Sequence, residues 1–254
     1  MGKRVSVGRR ASSIIRYALG FSWMSFWSVL FIFIFLLFLP SRAVRIRIGN
    51  IYGKIVGPGV LWLIGMRPKI INRQGLTGPA IFLSNHTSQM DPMIAIWLAP
   101  IGGCGVAKKS IANIPFFGWA YRVSGHLLID RSNREKAIES MAVLCELVKK
   151  MGLSVWIWPE GTRSMNGRLL PFKKGFVHMA IATGLPVVPI VVRDGHQRWP
   201  PKTFLLYPGE FEIEVLDPID TSEWNEESIE HHIKTVVNVY NDALPLEQRG
   251  SESS

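Results

Sequence analysis

Residues 80–98 read Ala80-Ile81-Phe82-Leu83-Ser84-Asn85-His86-Thr87-Ser88-Gln89-Met90-Asp91-Pro92-Met93-Ile94-Ala95-Ile96-Trp97-Leu98. The first five are a short β-prone run. At Asp91 the pattern changes to an acidic N-cap, a proline at the first helical position and an apolar helical stretch. The polar residues between them form a loop. A buried strand passing through a short polar loop into a helix is the repeating unit of an α/β fold. Polar groups just past a strand's carboxyl end stand where ligands bind in such sheets.

Working outward, the same alternation continues. Residues 105–107 and 126–130 read as strands, and Ser132-Asn133-Arg134-Glu135 is a capping box opening a helix to about residue 150. A strand over 154–158 follows, then a helix over 175–183 closed by Gly184. Residues 187–192 are strongly β-prone, 210–215 alternate like a strand nearer a sheet edge, and 226–243 form an amphipathic helix. The expected fold class is α/β, a mostly buried mixed sheet flanked by helices, with residues 67–254 as one catalytic domain.

Residues 1–66 differ in character. The run 17–39, YALGFSWMSFWSVLFIFIFLLFL, carries no charge and is long enough as a helix to cross a hydrocarbon core; Pro40 ends it. A cleavable signal would have a shorter apolar core and a small-x-small site. Here Ser41-Arg42-Ala43-Val44-Arg45 follows, so the reading is a retained, membrane-embedded helical anchor. Basic residues flank it on both sides (Lys3, Arg4, Arg9, Arg10 and Arg16; Arg42, Arg45, Arg47 and Lys54), which gives no clear orientation and allows both ends to be cytoplasmic. The second apolar segment, 55–66, is too short to span and contains Gly57-Pro58-Gly59. It reads as a re-entrant or interfacial helix, with an ordinary core helix as the alternative.

A formal charge of +10 asks for an anionic partner, and 48% hydrophobic residues with nine Trp favour a lipid bilayer over nucleic acid. No helix-turn-helix, zinc-finger or aromatic RNP pattern is present. Cys104 and Cys145 lie far apart and suggest neither a disulfide framework nor a zinc site. The histidines at 126, 178, 196, 231 and 232 lack HExxH spacing, so no metal is expected. Asn85-His86-Thr87 matches a glycosylation sequon, which would need a secreted, exposed loop, contrary to a cytoplasmic site.

The loop holds a possible acid–base pair. A neutral imidazole can take a hydroxyl proton, and a carboxylate on its other nitrogen sets the tautomer and stabilises the imidazolium. His86 and Asp91 have a spacing that suits these roles, although Asp91 is also explained as a helix cap.

The stretch Asn85-His86-Thr87-Ser88-Gln89-Met90-Asp91 resembles the NHxSxxD form of the His-x4-Asp block of the glycerolipid acyltransferases, typified by 1-acylglycerol-3-phosphate acyltransferase. Further blocks match in the family's order: residues 108–115 with 118–131, then Trp158-Pro159-Glu160-Gly161-Thr162-Arg163-Ser164, then Leu185-Pro186-Val187-Val188-Pro189. The likeness covers residues 80–192. Trp158 stands where Phe is frequent and Leu128 where an aromatic is frequent; neither change removes a titratable group.

The resemblance implies His86 as general base, oriented by Asp91. It assigns Lys108, Arg131, Glu160, Gly161, Thr162 and Arg163 to substrate binding, with Arg163 able to hold a phosphate bidentately. Glu160 either holds acceptor hydroxyls or binds loop amides, and is ranked as a binding residue. The implied reaction moves an acyl group from acyl-CoA or acyl-carrier protein to lysophosphatidic acid, giving phosphatidic acid without a cofactor. Its place would be the cytoplasmic face of the inner membrane or an equivalent internal membrane. Another lysophospholipid, a lyso-aminolipid or glycerol 3-phosphate are the alternative acceptors. A non-catalytic lipid-binding scaffold is the alternative of another class.

Overall fold

The computed structural model describes residues 6–129 and 134–250. The first helix, α1, runs over Val7–Leu37. It starts ten residues before the uncharged run because arginine is a good helix former and because Ser6 caps it, accepting from the Arg9 amide at 3.3 Å. Arg16 is not a boundary: its guanidinium donates to the Leu63 carbonyl at 3.4 Å, at the far end of the next helix.

That next helix, α2, spans Arg42–Leu63 and contains Pro58 without ending there. This corrects the reading of residues 55–66 as a short interfacial helix. Residues 55–63 are the end of a 22-residue helix packed in the core, the alternative reading, with Val56, Gly57, Val60 and Leu61 buried, and 64–66 lie beyond it. Two glycines one turn apart, Gly53 and Gly57, explain how α2 lies so close to the helix α3 (Asp91–Leu98). A Cβ on Gly57 would sit 2.6 Å from the Met93 carbonyl oxygen, and one on Gly53 would run into the carbonyl of Ile96. Gly53→Ala would gain about 1 kcal/mol of helix propensity. Separating two packed backbones should cost more, about 1–3 kcal/mol. A net loss of stability in denaturant unfolding is expected, and unchanged or greater stability would contradict this close packing.

Among the described residues there are eight strands, β1 (Met66–Ile71), β2 (Ile81–Ser84), β3 (Gly103–Cys104), β4 (Val106–Lys108), β5 (Leu127–Ile129), β6 (Ser154–Ile157), β7 (Val187–Arg193) and β8 (Gly209–Val215). The remaining helices are α4 (Phe117–Val123), α5 (Arg134–Met151), α6 (Gly175–Thr183), α7 (Gly195–Arg198) and α8 (Ile229–Ala243). Six strands form one sheet in the order β1-β8-β7-β2-β6-β3, and β4 and β5 pair separately. All neighbours are parallel except β7 and β8. This is the mixed α/β sheet expected.

Residues 210–215 lie in β8, second from one edge of the sheet, in agreement with a strand nearer an edge. The edge is β1, hidden in the sequence by Arg67-Pro68 and paired in parallel with β8. Proline is tolerated on such an edge strand. The capping box at 132–135 begins outside the described residues.

Strand alternation divides the core into two layers. Phe82, Trp156, Val188 and Ile190 join the cluster formed with α1 to α4. Ile81, Leu83, Val155, Val187 and Val191 face the opposite cluster, with α5, α6 and α8. The two N-terminal helices therefore share a core with the α/β unit. The exposed side of α1 remains apolar, including Phe26, Leu30, Phe33 and Leu37, and α1 is long and apolar enough to cross a membrane.

Candidate active site

The loops after β2 and β6 leave the sheet side by side, because Leu83 is level with Ile157 in the parallel pair. Asn85 fixes the first loop to β7. Its side-chain amide donates to the Val192 carbonyl at 2.9 Å and accepts from the Val192 amide at 2.8 Å, extending the ladder through a side chain. Tyr240 of α8 adds a buried tie, its hydroxyl donating to the Leu83 carbonyl at 2.7 Å.

In the loop, His86 Nδ1 lies 2.7 Å from Asp91 Oδ2. The same oxygen accepts the amides of Thr87 and Ser88, each at 2.9 Å. Asp91 is thus not the N-cap expected from the sequence. Met90 occupies that position, Asp91 is the first helical residue, and its carboxylate turns back toward the loop. As Asp91 accepts, Nδ1 donates, so the lone pair of the neutral ring is on Nε2. The ring stacks on Trp158, with centroids 4.7 Å apart and planes 23° off parallel. An imidazole held in this tautomer can accept a proton from a hydroxyl placed at Nε2.

Glu160 binds the two loops together. Its Oε1 accepts the His86 amide at 2.6 Å and its Oε2 accepts the Leu170 amide at 2.9 Å. The Ser164 amide donates to the His86 carbonyl at 2.8 Å, so the His86 backbone is gripped from both sides. Burial pushes the Glu160 carboxyl up to about 8, while the two amide hydrogen bonds pull it down. Of the two roles left open by the sequence, loop-amide binding is the one observed. Glu160 stands behind the residues that line the cavity described next.

A cavity of about 810 Å³ opens beside His86. Its walls include Phe35, Tyr52, Phe82, Ala95, Phe117 and Trp156, from α1, α2, α3, α4 and the sheet. Lys108, Gly161, Thr162 and Arg163 also line it. Gly161 adopts a φ of +70°, which favours glycine. Among the described residues, no ion pair involves Lys108 or Arg163, and Arg163 Nε is buried without a hydrogen-bond partner. Lys174 pairs with Glu230 at 2.6 Å, the ordinary fate of a lysine at a helix start. Arg131 lies outside the described residues.

Elsewhere on the wall, His126 accepts the Gly105 amide on Nδ1 at 3.0 Å. Burial, helped by the nearby Arg42 cation, pushes its pKa down to about 4 and keeps it neutral. Gly49 lies opposite, where a Cβ would be 2.5 Å from His126 Nε2. No group of three or more His, Cys, Asp and Glu residues arranged to hold a metal occurs among the described residues.

The model of the acyltransferase family matches residues 67–193, which include both loops. The chain belongs to the acyltransferase family. It is 42% identical over 216 residues to a protein of Limnanthes douglasii, covering 85% of this chain and 77% of the relative. It is 39% identical over 237 residues to one of Cocos nucifera, covering 93% and 77%. With one of Escherichia coli it shares 40% identity over 152 residues, covering 60% and 61%. All three relatives bear the name 1-acyl-sn-glycerol-3-phosphate acyltransferase. The crystal structure of the 1-acyl-sn-glycerophosphate acyltransferase of Thermotoga maritima matches with a TM-score of 0.74 and 20% identity, covering 92% of this chain and 95% of that one. At that identity the match establishes the fold of this acyltransferase.

Several site residues were not singled out in the sequence. Trp158 was noted only as a departure from Phe, and its stacking on His86 appears once the two strand ends are adjacent. Gln89 holds the chain after α7, far away in sequence, together with Ser88, which the sequence already places in the site loop.

Proposed function

We propose that this enzyme transfers a fatty acyl group from a thioester donor to the free hydroxyl of lysophosphatidic acid, giving phosphatidic acid. The supporting observation is the His86–Asp91 pair at a cavity that combines apolar walls with the cations Lys108 and Arg163, which have no ion-pair partner among the described residues. The apolar part suits an acyl chain and the cations suit a phosphate. Acyl-CoA or acyl-carrier protein serves as donor. The residues present can perform the transfer without a metal or prosthetic group. Of the alternative acceptors, glycerol 3-phosphate and other lysophospholipids present a phosphate too, so the acceptor panel described below includes them.

In the reaction, His86 Nε2 takes the acceptor hydroxyl's proton as its oxygen attacks the thioester carbonyl. Asp91 stabilises the imidazolium through Nδ1–H. Collapse of the tetrahedral intermediate breaks the C–S bond, and the imidazolium returns the proton to the departing thiolate. The ester and free thiol balance the step, and no covalent acyl-enzyme is required. Asp91 and Glu160 act from behind the cavity wall as positioning residues. Residues 1–66 serve as the membrane anchor through α1, and the site faces the cytoplasm.

Purified protein incubated with a panel of lyso-acceptors, each offered acyl-CoA and acyl-carrier protein, tests the reading through product identification. Phosphatidic acid should be the main product, and its absence with both donors would refute the assignment. Arg163→Ala should raise KM for lysophosphatidic acid about tenfold or more, as expected for a lost charge-assisted phosphate contact. An equal loss on acceptors lacking a phosphate would count against that role.

A further inference from the structure

A cation outside all the matching motifs also reaches the cavity. Lys202 and Pro201 line it together with His86 and Arg163. Lys202 is exposed, and no ion pair involves it among the described residues. Its backbone has a φ of 57°, in the left-handed region that a lysine rarely adopts. Such conformations persist where the surroundings impose them, often at functional sites.

Here the imposing contacts come from the loop carrying His86. Gln89 Nε2 donates to the carbonyls of Pro200 and Thr203 at 3.1 and 2.6 Å. Ser88 Oγ donates to the Trp199 carbonyl at 2.9 Å, and the Gln89 amide donates to the same oxygen at 3.2 Å. Four hydrogen bonds therefore hold the segment carrying Lys202 to residues two and three positions from the proposed base. The neighbouring Phe204 is 84% exposed, and its ring lies 6.1 Å from that of Tyr17 on α1.

We propose that Lys202 binds a phosphate of the substrate, a role that rests on the acyltransfer reading above. Lysine suits it as a point charge on a flexible stem at the cavity mouth, complementing the planar Arg163. The phosphate belongs to the lysophosphatidic acid acceptor or to the phosphate-bearing donor, and separate kinetics distinguish them.

The test uses the full chain, with lysophosphatidic acid varied at saturating acyl-CoA and then the reverse. Lys202→Gly removes the cation while accepting the backbone conformation without strain. It should raise KM for one substrate about tenfold with little change in kcat, and Lys202→Arg should restore most of the loss. A rise for the acceptor assigns its phosphate, and a rise for acyl-CoA assigns the donor's. KM values within about twofold of the wild type for both substrates would overturn the proposal. A fall in kcat alone, or failure of Lys202→Gly to fold, would also overturn it by showing a structural role. Inactive wild-type protein would instead refute the acyltransfer reading itself.

Discussion

His86→Ala should lower the rate of phosphatidic acid formation by about 10² to 10⁴-fold, the usual contribution of a general base. The protein should remain folded, for a reason visible at Asp91. When the imidazole is removed, Asp91 Oδ2 keeps the Thr87 and Ser88 amides, so its buried carboxylate still has partners. The lost contacts are one hydrogen bond and the face of Trp158, worth about 1–3 kcal/mol together. Initial rates measured beside thermal unfolding separate the two effects. A folded variant retaining more than about a tenth of wild-type turnover would rule out His86 as the base. Asp91→Asn is a less clean probe: with its amide oxygen in the place of Oδ2 it keeps the three N–H donors, but it loses the charge that stabilises the imidazolium and puts an NH₂ in the buried place of Oδ1, which has no hydrogen-bond partner. It should therefore lose stability as well as rate.

The elements legible in the sequence were those whose pattern is local. Ile81-Phe82-Leu83-Ser84 is buried throughout and reads as a strand, and Gly184 ends α6 in a left-handed conformation as expected. β1 was missed because its parallel partner, β8, lies more than a hundred residues away and Arg67-Pro68 disguises its start. The extent of α2 was missed because Gly57-Pro58-Gly59 looks like a break. Its meaning depends on contacts with α3 that a local reading cannot show. The motif residues marked both site loops, but their division of labour depended on geometry. The sequence allows Asp91 both the partnership with His86 and the N-cap, and Glu160 both acceptor hydroxyls and loop amides, because sequence gives a residue's chemistry without its partners. Lys202 carries no motif; the hydrogen bonds that bring it to the cavity mouth come from Ser88 and Gln89, more than a hundred residues earlier.

Glu160 gives the second large expected effect. Glu160→Gln preserves size and shape but leaves one oxygen for two backbone amides, those of His86 and Leu170. The other amide would then face a side-chain NH₂, leaving a buried donor unpaired at a cost of about 1–3 kcal/mol. Both amides belong to the loops that place His86, so kcat should drop at least about tenfold although Glu160 does not line the cavity. KM should change much less. The two proteins should also differ in their pH dependence. Folding raises the Glu160 pKa to about 8, so between the ordinary glutamate range and pH 8 the native state binds more protons than the unfolded chain. Its contribution to stability is fully present below the unfolded pKa and is lost as pH rises through the folded value. Glutamine does not titrate and lacks this slope. Thermal unfolding at pH 5 and pH 8.5 should therefore show the wild-type advantage over Glu160→Gln narrowing at the higher pH. An advantage that widens with pH would show that the two amides lower the carboxyl pKa more than burial raises it. The clasp on His86 would then be strongest with the carboxylate ionised.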